Sequence, residues 1–139
     1  MTANPKLAEQ LALMTRKATH TLTVARELHS HGHFSDAASR AYYAVFHALQ
    51  AALLTKGVTV SKHTGLMAEF NRHFIHTGLF PEVAHETIRR LFNDRQTGDY
   101  RYGVSIREEQ SALDIQEAEQ IIVRISQYLS AQNLLPETE

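Results

Sequence analysis

The 139-residue chain contains no cysteine and no apolar run that approaches about 18 residues. The first absence excludes disulfide bonds and thiolate metal sites. The second argues against a membrane-spanning helix, so we expect no membrane association. The opening stretch MTANPKLAEQ also lacks the charged-then-apolar layout of a secretory signal. These absences predict a cytoplasmic protein, and 43% hydrophobic residues predict one domain over residues 1–139.

Strand signals are also scarce, since GVTV at residues 57–60 is the only strand-like run. Apolar residues instead recur at steps of three and four, the period of a helix with one buried face. The core positions that we expect are Leu11, Ala18, Leu49, Phe70, Leu91, Ile122 and Ile125. Five helical segments with short connections predict an all-α, antiparallel up-and-down bundle. The final PETE, residues 136–139, is expected to be frayed.

The boundaries of the first two helices follow from turn and capping residues. The first helix is expected from about Leu7 until shortly before Gly32, which is a stop signal. Ser35 or Asp36 is the predicted N-cap of the second helix, because a short side-chain oxygen can accept a free backbone N–H. This second helix is expected to end at Gly57.

The boundaries of the later helices are predicted in the same way. The third helix should close near Gly78, and Pro81 suits the first turn of the fourth. Residues 97–110 contain two glycines and no sustained period, which predicts a loop. Ser111 and Asp114 form a capping-box pattern that should open the fifth helix.

Charge is distributed unevenly along the chain. Through Arg107 there are 13 lysines or arginines against 8 acidic residues, and from Glu108 onward there is one against seven. Nine histidines add positive charge as the pH falls toward about 6. A mildly basic body with an acidic last helix permits phosphate binding without requiring it.

The second helix places polar groups among apolar ones. Arg40, Tyr43, Ala44 and His47 occur at i, i+3, i+4 and i+7, so they share one face. The opposite face is also apolar, which predicts that Arg40 and His47 lie in a groove or an interface. Two interpretations are open: a buried hydrogen-bonding cluster that fixes helix register, or a site for anions.

A second polar insertion lies on the fourth helix. Arg95 continues an apolar stripe, and Asp99 follows one turn later with Tyr100 beside it. The two charges can form a simple ion pair at a helix end. The alternative is that Gly98, which lies between them, loosens the helix and an irregular turn holds the pair.

These two motifs resemble the small prokaryotic HEPN domains. The stretch G-x-F-x-D-A-A-S-R-A-Y-Y-A-V-F-H-A is followed some fifty residues later by R-x-x-x-D-Y. The matching residues are Gly32, Phe34, the run Asp36 to Arg40, Tyr42, Tyr43, Phe46, His47, Arg95, Asp99 and Tyr100. The resemblance covers essentially the whole chain. It implies a homodimeric all-α bundle, commonly paired with a minimal nucleotidyltransferase as a toxin–antitoxin or stress pair.

The family resemblance also carries expectations about RNA. Many HEPN proteins are metal-independent ribonucleases with an R-x4-6-H motif, and others only bind nucleotides or RNA. Counted from Arg95, that histidine would fall at Tyr100, Arg101 or Tyr102, and no histidine follows His85. Matches elsewhere, such as Arg26 with His31 or His33 and Arg40 with His47, are as frequent as chance predicts.

We therefore expect little or no RNA cleavage by the isolated protein, because an aspartate is a weaker base than an imidazole near neutral pH. The candidate catalytic residues are Arg95, Asp99 and His47. The candidate anion-binding residues are Arg40, Tyr43, His47, Arg95, Asp99 and Tyr100.

His29, His31 and His33 flank a glycine turn, and such histidines are more commonly exposed to solvent, so neither a metal nor a cofactor is expected.

The alternative to a nucleotide- or RNA-binding protein is a non-catalytic dimeric interaction module. An open cleft shared by Arg40 and Arg95 favours the first, and sealing of each by a carboxylate favours the second.

Overall fold

The structure is a computed structural model that describes residues 4–135, so the predicted frayed tail at residues 136–139 lies outside the described residues. It contains five α-helices and, within the described range, no strand. The helices are α1 (Pro5–Ser30), α2 (Phe34–Leu54), α3 (His63–Phe70), α4 (Glu82–Tyr100) and α5 (Glu108–Ala131). A π-helical turn, Asn71–Ile75, continues α3. The predicted all-α class is confirmed. Within residues 4–135, no helix combines the length and apolarity that crossing a bilayer requires.

The α2 helix lies at the centre of the bundle, where it contacts α1, α3, α4 and α5. It is suited to this place because alanines and large apolar residues cover most of its circumference. All seven core positions expected from the sequence are buried. Phe70 and Phe74 stack with their ring centroids 5.2 Å apart, and Tyr128 meets Phe74 edge to face at 5.2 Å. The packing of these rings stabilises the contact of the π-helical turn with α5.

The turn between α1 and α2 is tight, because Gly32 adopts a left-handed φ of +83°. His33 is the N-cap of α2 and makes no side-chain capping bond. The predicted cap at Ser35 or Asp36 is therefore wrong. The Ser35 hydroxyl instead accepts a hydrogen bond of 3.0 Å from the backbone N–H of Ile106 and ties α2 to the segment before α5.

The predicted loop at residues 97–110 is too long, because α4 continues through Tyr100. Gly98 does not loosen the helix. A Cβ at this position would lie 2.8 Å from the carbonyl oxygen of Ser35, so the glycine serves the close approach of α4 to α2. Pro81 is the N-cap of α4, one position before the predicted first turn.

The predicted capping box at the start of α5 is wrong as well. The helix begins at Glu108, and its cap pairs Arg107 with Gln110, whose side chain accepts the Arg107 N–H at 3.1 Å. Ser111 and Asp114 lie inside the helix and are fully buried. Burial against neighbouring helices has thus overridden a local capping pattern.

Asp114 belongs to a charged network between α4 and α5. Arg90 donates hydrogen bonds to Asp114 Oδ1 at 3.2 Å and to Glu117 Oε1 at 3.0 Å. Burial raises the pKa of Asp114 to about 8, the hydrogen bond and charge of the neighbouring Asp94 add to the rise, and Arg90 opposes it. Burial of Asp114 therefore favours the protonated form of its carboxyl.

Candidate anion-binding site

Arg95 is held inside a cage of aromatic rings. Its residue is only 5% exposed, and its Cζ lies 5.2 to 5.5 Å from the ring centroids of Tyr42, Tyr43, Phe92 and Tyr100. It donates a hydrogen bond of 3.0 Å to the Tyr43 hydroxyl. Burial disfavours the charge, but interactions with Tyr43 and Tyr100 outweigh it and raise the pKa of Arg95. The guanidinium is thus stabilised by tyrosine hydroxyls and by its contacts with the surrounding ring faces.

Asp99 supplies the carboxylate nearest to this cage. Its Oδ2 lies 3.7 Å from Arg95 Nη1 and accepts a hydrogen bond of 3.1 Å from the Ser39 hydroxyl. Arg95 and Asp99 sit at i and i+4 of one continuous helix, so the alternative of an irregular turn is wrong. The close packing at Gly98 brings Asp99 to Ser39 on α2.

His63 adjoins the aromatic cage and is not among the candidate residues predicted from the sequence. Its Nδ1 shares a hydrogen bond of 2.7 Å with the Tyr42 hydroxyl, and its ring packs on Phe46 and Phe92 with centroids 4.8 and 5.8 Å apart. Burial, and secondly the charge of Arg95, lowers the pKa of His63, which favours a neutral imidazole. No sequence spacing links His63 to Arg95, because only the packing of α3 on α2 and α4 brings them together.

Arg40 lies in a separate, open groove between α1 and α2. This basic groove has a volume of ≈440 Å³ and is lined by Lys17, His20, Thr21, Val24, Arg40, Tyr43 and His47. It contains two fixed cations and two imidazoles, and no carboxylate is among these lining residues. Arg40, Tyr43 and His47 are among the candidate residues predicted from the sequence, whereas Lys17 and His20 are not. Their spacing of three on α1 was the available signal.

The charges in the basic groove repel each other. Burial lowers the pKa of His47, and the nearby charges of Lys17 and Arg40 lower it further, while a hydrogen bond with Gln50 opposes the shift. The exposed Arg40 guanidinium lies 5.4 Å from the Tyr43 ring centroid. A bound anion would relieve this repulsion.

A second, mixed groove shares a wall with the basic groove. It has a volume of ≈530 Å³ and is lined by Leu28, Asp36, Ser39, Arg40, Tyr43 and Asp99. Arg40 and Tyr43 line both grooves, and Tyr43 also bonds Arg95. Arg95 itself lines neither groove. The two arginines are therefore linked through Tyr43, with Arg40 open to solvent and Arg95 enclosed.

The histidines around the first turn are placed apart from these grooves. His29 Nδ1 lies 2.9 Å from the Ser111 hydroxyl, and His31 Nδ1 lies 2.7 Å from the Glu27 carbonyl oxygen. Within residues 4–135, no three histidine, aspartate or glutamate side chains come together in a way that could hold a metal ion.

This chain matches one family model and is similar in sequence to several known proteins. A family model described as HEPN domain matches residues 11–129. A Methanocaldococcus jannaschii protein named "Putative toxin" is 32% identical over 126 residues, which cover 91% of this chain and 93% of that protein. A second protein of the same name and organism is 29% identical over 91% of this chain and 86% of its own length. A Thermotoga maritima protein named "UPF0332 protein" is 39% identical over 68% of this chain and 71% of its own length.

Proposed function

The chain belongs to the HEPN family, and from that premise we propose that it is a toxin-like protein that binds phosphate groups of RNA or nucleotides in the basic groove. The observation that carries the proposal is the set of Lys17, His20, Arg40 and His47 around one open groove. The names of the two Methanocaldococcus relatives support the toxin-like role.

The chemistry of the basic groove suits a phosphate. The planar guanidinium of Arg40 can donate two parallel hydrogen bonds to phosphate oxygens, and Lys17 adds a point charge. The groove of ≈440 Å³ falls within the size range of small-molecule sites. His47 gains a proton more readily when an anion neutralises its cationic neighbours, so binding should be coupled to proton uptake.

Cleavage of RNA by the isolated protein is proposed to be weak. Arg95 is enclosed by aromatic rings, so its guanidinium is not presented to a phosphate. His47 lies in the basic groove and is not among the residues that surround Arg95. His47 as an acid–base candidate and Arg95 as a charge-stabilising candidate are thus held apart.

We also propose a homodimer and a minimal nucleotidyltransferase partner, both from the family resemblance. The apolar circumference of α2 does not itself call for a dimer, since the other four helices cover it within the chain. The end of α4 and the following segment offer another surface, where Tyr100, Tyr102 and Val104 are 63%, 100% and 49% exposed. A reading frame for a nucleotidyltransferase beside the gene, whose co-expression relieves growth arrest by this chain, would support the pairing.

The binding proposal is tested with inorganic phosphate and a labelled single-stranded RNA. We expect Lys17→Gln and Arg40→Gln each to weaken RNA binding and to reduce its dependence on salt, because each removes one phosphate contact. Arg16→Gln is the matched control, since Arg16 is an exposed neighbour of Lys17 that does not line the groove. Phosphate should raise the pKa of His47 in an NMR titration. Equal binding by all four proteins would reject the groove as the site.

The cleavage proposal is tested in parallel without metal ions. Wild type, His47→Ala and Arg95→Ala are incubated with RNA, and we expect negligible cleavage by all three. Strong wild-type cleavage that disappears in His47→Ala would make the protein an enzyme that uses a relocated histidine. Negligible RNA and phosphate binding by every variant would instead favour the dimeric interaction module, for which the enclosed Arg95 is a structural support.

A further inference from the structure

A third concave site lies between α3 and α4. This α3–α4 cleft has a volume of ≈460 Å³ and is lined by His63, Thr64, Met67, His85, Arg89, Phe92 and Asn93. It shares no lining residue with the basic groove or with the mixed groove. Its ligand can therefore be assigned and tested independently.

Two imidazoles in the cleft have fixed orientations. His63 is held through Nδ1 by the Tyr42 hydroxyl at 2.7 Å. His85 is held through Nδ1, which lies 3.0 Å from the amide oxygen of Asn71 in the π-helical turn. The amide oxygen can only accept, so the Nδ1 of His85 carries a proton. In both rings the Nε2 atom is left for another partner, since the hydrogen bonds of the described residues do not engage it.

One part of the cleft suits a phosphate. Arg89 is exposed, and no carboxylate in residues 4–135 forms an ion pair with it. The first turn of α3 borders the same space through Thr64, and its N-cap residue Lys62 makes no side-chain capping bond. Free N–H groups of a first helical turn favour anions, which adds to the attraction of the guanidinium.

The other part of the cleft suits a flat aromatic group. Phe92 and Met67 both line it and are half-buried, so part of each side chain faces the open space. The exposed side chain of Asn93 adds an amide that can donate and accept hydrogen bonds. A nucleobase combines a ring face for stacking with a polar edge for such an amide.

We propose that the α3–α4 cleft binds a nucleoside monophosphate, with its base against Phe92 and its phosphate against Arg89, the first turn of α3 and a doubly protonated His85, whose Nε2 then donates. The ligand is either a free nucleotide or the phosphorylated end of an RNA strand, because both present the same chemical group. This site is additional to the basic groove and does not depend on phosphate binding there.

The experiment measures binding of AMP, inorganic phosphate and two short RNAs that differ only in a 5′-phosphate. Arg89→Gln should weaken AMP binding about tenfold or more, because it removes charge-assisted hydrogen bonds to the phosphate. Phe92→Leu should weaken AMP binding several-fold and leave phosphate binding unchanged, because it removes the stacking surface and keeps Arg89 in place. His85→Gln, which removes the imidazolium charge, should weaken AMP binding, whereas His76→Gln, at an exposed histidine outside the cleft, should leave it unchanged.

Arg89 is on the surface, so Arg89→Gln keeps the test valid even if Phe92→Leu alters folding. A preference for the 5′-phosphorylated RNA over AMP identifies a strand end as the ligand, and the reverse identifies a free nucleotide. AMP affinity that is unchanged in both Arg89→Gln and Phe92→Leu overturns the proposal. AMP binding that is lost in Arg40→Gln and retained in Arg89→Gln also overturns it, and would leave the basic groove as the nucleotide site.

Discussion

Replacing Gly98 with alanine should destabilise the protein, although alanine is the better helix former. The added Cβ would lie 2.8 Å from the carbonyl oxygen of Ser35 and 3.4 Å from two more backbone atoms of that residue. Backbone atoms cannot move aside as a side chain can, so α4 must shift away from α2. That shift would stretch the hydrogen bonds from Ile106 N–H to Ser35 Oγ and from Ser39 Oγ to Asp99.

The expected loss in the free energy of unfolding is the balance of two destabilising effects and one stabilising effect. Overpacking at a close contact costs about 1–3 kcal/mol, and one weakened hydrogen bond costs about 1 kcal/mol. Alanine in place of glycine within a helix returns about 1 kcal/mol. The expected net loss in the free energy of unfolding is about 1–3 kcal/mol. With a urea m-value of about 2 kcal/mol/M, the midpoint should fall by about 0.5–1.5 M.

Urea unfolding followed by circular dichroism is the assay, and Gly65→Ala is the matched control. A Cβ at Gly65 would lie 3.0 Å from Cγ1 of Val60, which is a side-chain atom that can rotate away. Gly65 is also helical, so it gains the same propensity without a fixed clash. We expect the Gly65→Ala midpoint to equal or exceed that of wild type. A Gly98→Ala midpoint that is unchanged or higher, at an unchanged m-value, would refute the role assigned to this glycine.

Two other predictions concern pH and assembly. Burial raises the pKa of Asp114 to about 8, so the folded protein keeps a proton there that the unfolded chain loses near pH 4. The free energy of unfolding should therefore fall as the pH rises from about 4 to 8, by up to about 1.4 kcal/mol per pH unit. Urea midpoints at pH 5 and pH 8 should differ less in Asp114→Asn than in wild type, and an equal difference in both proteins would contradict the raised pKa. Light scattering at tens of micromolar should give the mass of a dimer, and Tyr102→Ser should lower that mass; a wild-type monomer would contradict the proposed homodimer.

The sequence was sufficient for the helices, because the apolar period of each helix is a local property. It failed where packing overrides local preference. Gly98 has a low helix propensity, yet it lies within α4 because only glycine permits the contact with Ser35. Ser111 and Asp114 have the spacing of a cap, yet the core buries both inside α5.

In the candidate sites as well, local spacing predicts some residues and helix packing determines the others. Arg40, Tyr43 and His47 share one helix face, so their spacing alone placed them together. Lys17 joins them from α1, and His63 reaches the rings around Arg95 from α3. These neighbours come together only because the helices pack against each other, and no spacing in a single sequence indicates that packing.

The central position of α2 has a consequence for how the protein unfolds. Since α2 contacts each of the other four helices, none of them can leave without exposing apolar surface on α2. The three-residue turn to α1 makes their contacts local in sequence, which favours early formation of this pair during folding. The bundle should therefore lose its helices in one cooperative transition, and native-state hydrogen exchange should find the slowest amides within α2.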